Sequence, residues 1–285
     1  MATTHLTEDL AGPPPDLRFK RRIRFRSAMV ELWRSRELVR TLAEREIRVR
    51  YKQTSLGISW AILTPLALML VFSLFLQRVA KFDTNGTPYA LFSFLGLIPW
   101  TFFSTSLSVG GQSLIVNNSL LNKVYCPREV FPLSSVTVAA FDSTISVLVL
   151  GILFAITRFA PAATSVWVPL LLLMQVAFTL GVTLVVSAAL VYLRDLRQAL
   201  PVLLQLGLFA TPVAYGMQVI PAKLRSVYVT INPLGAVIDG YRRTVLLGMA
   251  PNWSLVAPAA ATTALVFVVG YILFKRMETG FADVA

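Results

Sequence analysis

The chain has 285 residues, of which 56% are apolar and 14% charged, with a net charge of +12 and a mean hydropathy of +0.69. A soluble domain carries about 25% charged residues, so these values exclude a soluble enzyme fold and require long stretches that need no water. One cysteine, Cys126, and one histidine, His5, exclude a disulfide framework, a Cys/His metal cluster and catalysis by a Cys–His or Ser–His–Asp arrangement.

Residues 1–26 read as a basic N-terminal tail, with Pro13, Pro14 and Pro15 in its opening turns. Residues 27–56 read as an amphipathic interface helix: Val30, Trp33, Leu38, Leu42 and Val49 recur among Arg and Glu at helical intervals up to residue 52. This places a helix at the membrane surface, Trp33 at headgroup depth and the basic face toward anionic lipid; the alternative is a topological anchor with no further role. Residues 1–56 hold 13 of the 26 Lys and Arg residues. Membrane topology and anionic lipid account for that charge, so no nucleic-acid partner is expected. The first uncharged run starts only after Lys52, so no cleavable signal peptide is expected either.

Residues 57–274 contain six apolar runs near the length of about 20 residues that crosses a bilayer, at 57–77, 89–116, 132–157, 166–192, 199–217 and 253–274. The fold class is therefore an all-α membrane protein with six transmembrane helices. The fourth and fifth runs are separated by a polar knot of Arg194, Asp195 and Arg197, which predicts a tight hairpin. With both termini on the cytoplasmic side, the cytoplasmic pieces hold 19 Lys and Arg residues against 7 outside, the bias expected of cytoplasmic loops. Residues 275–285 form a cytoplasmic tail in this arrangement. The segment 218–252 is too apolar for a solvated loop and too short to span; Pro221, Pro233 and Pro251 break it into two short helices that dip into the outer face.

No G-x-x-x-x-G-K-[ST] loop is present, so the energy source lies in another chain. The string Ser108–Gln112, SVGGQ, superficially resembles the signature loop of ATP-binding cassette ATPases, but it sits inside the second apolar run, where paired glycines serve close helix approach. Asp142 is the one carboxylate inside a span. It either serves packing, protonated or hydrogen-bonded to neighbours such as Ser143 and Ser146, or takes part in ion coupling. Trp60, Phe72, Phe102, Phe209 and Tyr215 stand out among the aromatic residues of the first, second and fifth runs as candidates to line a path for a sugar chain. Pro65, Pro99, Pro201 and Pro212 allow kinks in the same runs.

The run EIRVRYKQTSLGISWAILTP, Glu46–Pro65, resembles permease subunits of type-2 ABC exporters for lipid-linked polysaccharides, the O-antigen and teichoic-acid exporter family often called Wzm-like. NNSLLNKVYCPREVFP (Asn117–Pro132), YLRD (Tyr192–Asp195) and NPLGAVIDGYRRTVLLG (Asn232–Gly248) carry the same resemblance, in the same order, from about residue 30 to the C-terminus. The resemblance implies a homodimer of the permease, with a path between the copies, in the bacterial inner membrane. It also implies two copies of an ABC ATPase subunit, which bind ATP and Mg; this chain itself binds no cofactor or metal and has no catalytic residues. By the same resemblance residues 117–131, opening with Asn117, are the coupling helix, and Lys123, Arg128 and Glu129 are its polar contacts to the ATPase. Arg194 and Asp195 form the second contact, or only a solvated hairpin. Residues 218–248 are outer gate helices in which Arg242 meets a diphosphate or the neighbouring Asp239.

Two other readings compete. A type-2 exporter of a drug or another lipid shares the architecture. A membrane glycosyltransferase needs clustered carboxylates near the membrane surface, and this chain offers only scattered single acids outside its N-terminus.

Overall fold

The computed structural model describes residues 30, 33–52, 56–75, 86–121, 126–193, 195–278 and 281. The predicted tail 1–26 and the candidates Lys123 and Arg194 lie outside the described residues.

Among the described residues the regular structure is entirely helical. The helices are α1 (Arg36–Lys52), α2 (Ser59–Phe72), α3 (Tyr89–Val116), α4 (Val130–Thr157), α5 (Val168–Tyr192), α6 (Leu196–Ala210), α7 (Arg225–Ile231), α8 (Pro233–Tyr241) and α9 (Trp253–Met277). A single helical turn, Asn118–Leu121, follows α3, and a π-helical turn, Arg242–Leu246, follows α8. Among the described residues four helices are long and apolar enough to cross a membrane: α3, α4, α5 with its preceding 3₁₀ turn from Ala163, and α9. The helices Ser59–Phe75 and Leu196–Ala210 are apolar but shorter.

Helix α3 is the spine. Its 28 residues rise about 42 Å, lack charge and are buried along most of their length against α4 and α5. Gly110 and Gly111 set its distance from α5: a Cβ on Gly111 would lie 2.9 Å from Val186, and one on Gly110 would collide with Thr183. The SVGGQ string is thus a packing surface. Helix α9 crosses α5 just as closely, because a Cβ on Gly181 would lie 2.8 Å from the Phe267 backbone.

Two ends of the bundle can be told apart by what meets there. At one end the last turn of α5 touches the last turn of α9 through Tyr192 and Met277, and the residues before α4 touch Glu278. At the other, Ala162 and Thr164 bond the backbone of Val245 and Thr244, and Trp167 packs edge-on against Trp253 with ring centres 5.0 Å apart. Such a tryptophan pair suits a membrane–water interface.

Two sequence expectations need correction. The run expected at 199–217 stops being helical at Ala210, since Pro212 removes a donor and the carbonyls of Pro212, Val213 and Tyr215 turn to a side chain instead of the next helical turn. Residues 117–131 are not one continuous helix, because residues 126–129 before α4 are non-helical. Helix α1 packs through Val39 and Ala43, with Glu46 and Arg50 continuing the same face, while Trp33 and Val49 are exposed on the side open to a membrane surface. The buried face is polar at its far end, which an apolar count misses. The two helices expected within 218–252 are present as α7 and α8, joined at Asn232–Pro233.

Candidate functional site

The polar face of α1 meets α4. Arg50 Nη1 lies 2.7 Å from Asp142 Oδ2, and the Tyr51 hydroxyl donates to Asp142 Oδ1 at 2.5 Å. One turn earlier, the Ser135 hydroxyl donates to Glu46 Oε2 at 3.3 Å. Burial pushes the Glu46 carboxyl above the usual carboxylate range, opposed by Arg50 and by this hydrogen bond. Asp142 is therefore held as half of an ion pair that joins the interface helix to a spanning helix. Its neighbour Ser146 bonds the Asp142 backbone and not its carboxylate. Arg50 and Tyr51, absent from the sequence-based candidates, lie 92 and 91 positions from Asp142. Beside the pair is a cavity of about 430 Å³, where the hydroxyl-bearing residues Thr64, Thr105, Ser108 and Ser143 and the half-exposed Trp60 ring surround Arg50 and Asp142.

The residues expected to contact an ATPase gather at this same end. Asn117 ends α3 and donates its amide to the Ser113 carbonyl at 2.9 Å. Glu129 is 4% exposed, paired to Lys275 at 2.5 Å and bonded by the Tyr271 hydroxyl at 3.3 Å. Arg128 donates to the Glu278 carbonyl and lies over the Phe281 ring. Glu129 therefore points into the protomer, toward the end of α9, and Arg128 is half-buried against the same turn. Asp195 is exposed at the start of α6, and Arg197 ties that turn to Gln112 of α3 at 3.2 Å.

At the opposite end Arg242 is 3% exposed. Its guanidinium donates to the carbonyls of Phe92 (3.1 Å), Pro212 (2.7 Å), Tyr215 (2.8 Å) and Val213, and sits 3.7 Å from the centre of the Phe92 ring. A planar fork of donors suits several fixed carbonyls at once, and the missing side chain at Gly96 leaves room for it. The expected meeting with a diphosphate or with Asp239 is corrected: carbonyls and a ring face take the guanidinium, and burial closes it to a ligand. Asp239 is half-buried, and burial raises its carboxyl above the usual range against the pull of Arg243, Arg242 and Arg225.

The aromatic path candidates divide by placement. Phe72 and Phe102 are packed inside the protomer, out of reach of a passing chain. Trp60 and Phe209 are exposed on α2 and α6, and Tyr215 is half-buried with its hydroxyl bonded to the Phe209 carbonyl at 3.0 Å. Among the described residues no three His, Cys, Asp or Glu side chains converge to hold a metal ion.

The family model described as ABC-2 type transporter matches residues 37–246, from the start of α1 to the π-helical turn after α8. The chain belongs to the ABC-2 type transporter family. Among similar ABC-2 chains, the O-antigen export system permease protein RfbA of Myxococcus xanthus is 33% identical over 253 residues, covering 87% of this chain and 95% of that one. A protein of the same name from Klebsiella pneumoniae is 28% identical over 249 residues, with the same coverage. The polysialic acid transport protein KpsM of Escherichia coli is 26% identical over 251 residues, covering 84% and 93%. The ABC-2 match takes in both Arg50 and Asp142 and also Arg242, and stops before α9 and the residues that meet Arg128 and Glu129.

Proposed function

We propose that this chain is the membrane subunit of an ATP-driven exporter that moves a lipid-linked cell-envelope polysaccharide across the bacterial inner membrane. The observation that carries the reading is its similarity, over more than four-fifths of its length, to permeases named for O-antigen export and polysialic acid transport. ATP and Mg belong to a separate ABC ATPase, two copies of which engage two copies of this chain.

In this reading the short apolar helices α2 and α6 complete six passes, and both termini face the cytoplasm. The end of the bundle that holds α1, residues 117–129 and Asp195 faces the ATPase, an assignment supported by the concentration of Lys and Arg in those pieces. Exposed apolar side chains on α2 and α6, Trp60 and Phe209 among them, face the partner copy and the path between the copies. Helices α7 and α8 lie at the outer face as the gate, dipping in without crossing. There Arg242 acts as a pin: it holds the 212–215 loop to α3 and α8, so the gate moves together with that loop. The cavity beside the Arg50–Asp142 pair offers hydroxyls and an aromatic face, a set that suits the sugar rings of a passing glycan.

Depletion tests the reading against an exporter of drugs or other lipids. Loss of this chain should remove long-chain glycan from the cell surface and leave its lipid-linked precursor inside, both read by gel electrophoresis of extracted envelope glycans. Normal surface glycan with altered drug efflux would assign the chain to the other branch.

A further inference from the structure

The sequence reads residues 275–285 as a cytoplasmic tail, yet two of its charged side chains, Lys275 and Glu278, are largely buried, while Arg276 is exposed. Lys275 and Glu278 are 13% and 14% exposed and 2.9 Å apart, with Lys275 also bound to Glu129 of the segment before α4. Phe281 is 2% exposed, in a cluster with Leu114, Phe131, Leu184 and Phe274, the Phe274 ring edge-on at 5.7 Å. Two connections converge on this turn. From the α3–α4 connection come Arg128, bonded to the Glu278 carbonyl with its guanidinium 5.6 Å from the Phe281 ring centre, and Glu129. From the end of α5, where the connection to α6 begins, comes Tyr192, whose hydroxyl donates to the Met277 carbonyl at 2.8 Å and whose ring centre is 6.0 Å from that of Phe281.

We infer that the C-terminal turn around Lys275, Glu278 and Phe281 is a clasp that positions the two ATPase-facing connections as one rigid platform. The inference rests on the proposed function, since it takes these connections as the receivers of the ATPase's movement. The physical reason is load sharing. The two connections lie in different parts of the chain, and without a third element a push on one deforms that connection locally instead of shifting the bundle. A buried ion pair with hydrogen bonds fixes geometry more than it adds stability. Glu129 illustrates the point: one carboxylate oxygen is paired to Lys275, and the other is buried without a hydrogen-bond partner. Burial of Phe281 then excludes water from the charges. Phe281 and Lys275 are positioning residues in this scheme and touch no cargo.

The test uses the complete exporter, permease and ATPase together, in proteoliposomes loaded with fluorescent lipid-linked glycan, and reads glycan exported per ATP hydrolysed. Phe281→Ala should keep the ATPase bound and its basal hydrolysis within about twofold of the unaltered exporter, while export per ATP falls at least about tenfold; Phe281→Tyr should restore it. A second arm does not depend on the stability of that variant. In a Cys126→Ser background, Arg128→Cys with Phe281→Cys should uncouple export, and bridging the two thiols with a short bis-maleimide should recover it to within about threefold. Export per ATP that is unchanged in Phe281→Ala, or that the bridge fails to recover, would overturn the clasp while leaving the exporter reading intact. An unaltered exporter that moves no glycan would overturn both.

Discussion

Arg242→Lys should destabilise the protein by about 3 kcal/mol or more, the scale of breaking a buried charged network, and thermal unfolding of the detergent-solubilised protein measures it. The cause is geometric. The guanidinium serves four backbone carbonyls and one aromatic face, whereas an ammonium has three donors and no planar fork. At least one buried carbonyl then loses its partner, and the 212–215 loop is released from α3. Export should fall with stability, because the loop and α8 no longer move together. Arg242→Met should be worse still, since it leaves all four carbonyls unpaired. Unchanged unfolding of Arg242→Lys would show that the carbonyl cradle contributes little.

The second large effect is expected at Arg50. Arg50→Met leaves the Asp142 carboxylate with the Tyr51 hydroxyl and no cation, a loss on the order of 3 kcal/mol for a largely buried pair stripped of one member. Asp142→Asn should cost less, because an amide keeps a hydrogen bond to Tyr51 and accepts one from Arg50. The exchange Arg50→Asp with Asp142→Arg should recover at least half of the loss in the same unfolding measurement. Additive losses in the double variant would mean that the pair contributes nothing as a pair. Export is the sharper readout, since the pair fastens the interface helix to α4 beside the cavity. A variant that folds with α1 unfastened should hydrolyse ATP and move little glycan.

The two effects mark what pattern reading could reach and what it could not. Helices α3, α4, α5 and α9 were legible because an apolar run of more than 20 residues with at most a single charge has few other ways to satisfy its backbone in lipid. The break between α7 and α8 was legible because Pro233 lacks an N–H. The end of α6 was not, since its loop is held by a side chain some 30 positions later in the chain. For α1 the apolar periodicity picked Trp33 and Val49, which are exposed, and passed over Arg50, which is paired. The available signal was the spacing of Val39, Ala43, Glu46 and Arg50, three or four residues apart on one helical face. Asp142 was recognisable as costly in a span, yet its partner lies 92 residues away, and one sequence gives no measure of such a pairing. Phe281, a lone aromatic after charged Lys275, Arg276 and Glu278, was the comparable signal at the C-terminus.

The placement of Arg128 and Glu129 changes what a coupling experiment should alter. Both are bound within the protomer, so reversing their charges disrupts the platform itself, and loss of export in such variants would not identify a direct contact with the ATPase. Asp195, exposed at the start of α6, is the better position for seeking that contact by cross-linking.

The most direct test of the central claim is ATP-driven export by the purified complex. The chain should be isolated gently from its native membrane with whatever ATPase accompanies it and placed in liposomes whose inward-facing copies are inactive. Lipid-linked glycan added on the ATPase side should then appear in the lumen only with ATP and Mg. A stoichiometric ABC ATPase should be present in the preparation, and glycan accumulation should stop when hydrolysis is blocked. A chain that purifies without any ATPase, or a complex that hydrolyses ATP while glycan never reaches the lumen, would contradict that claim.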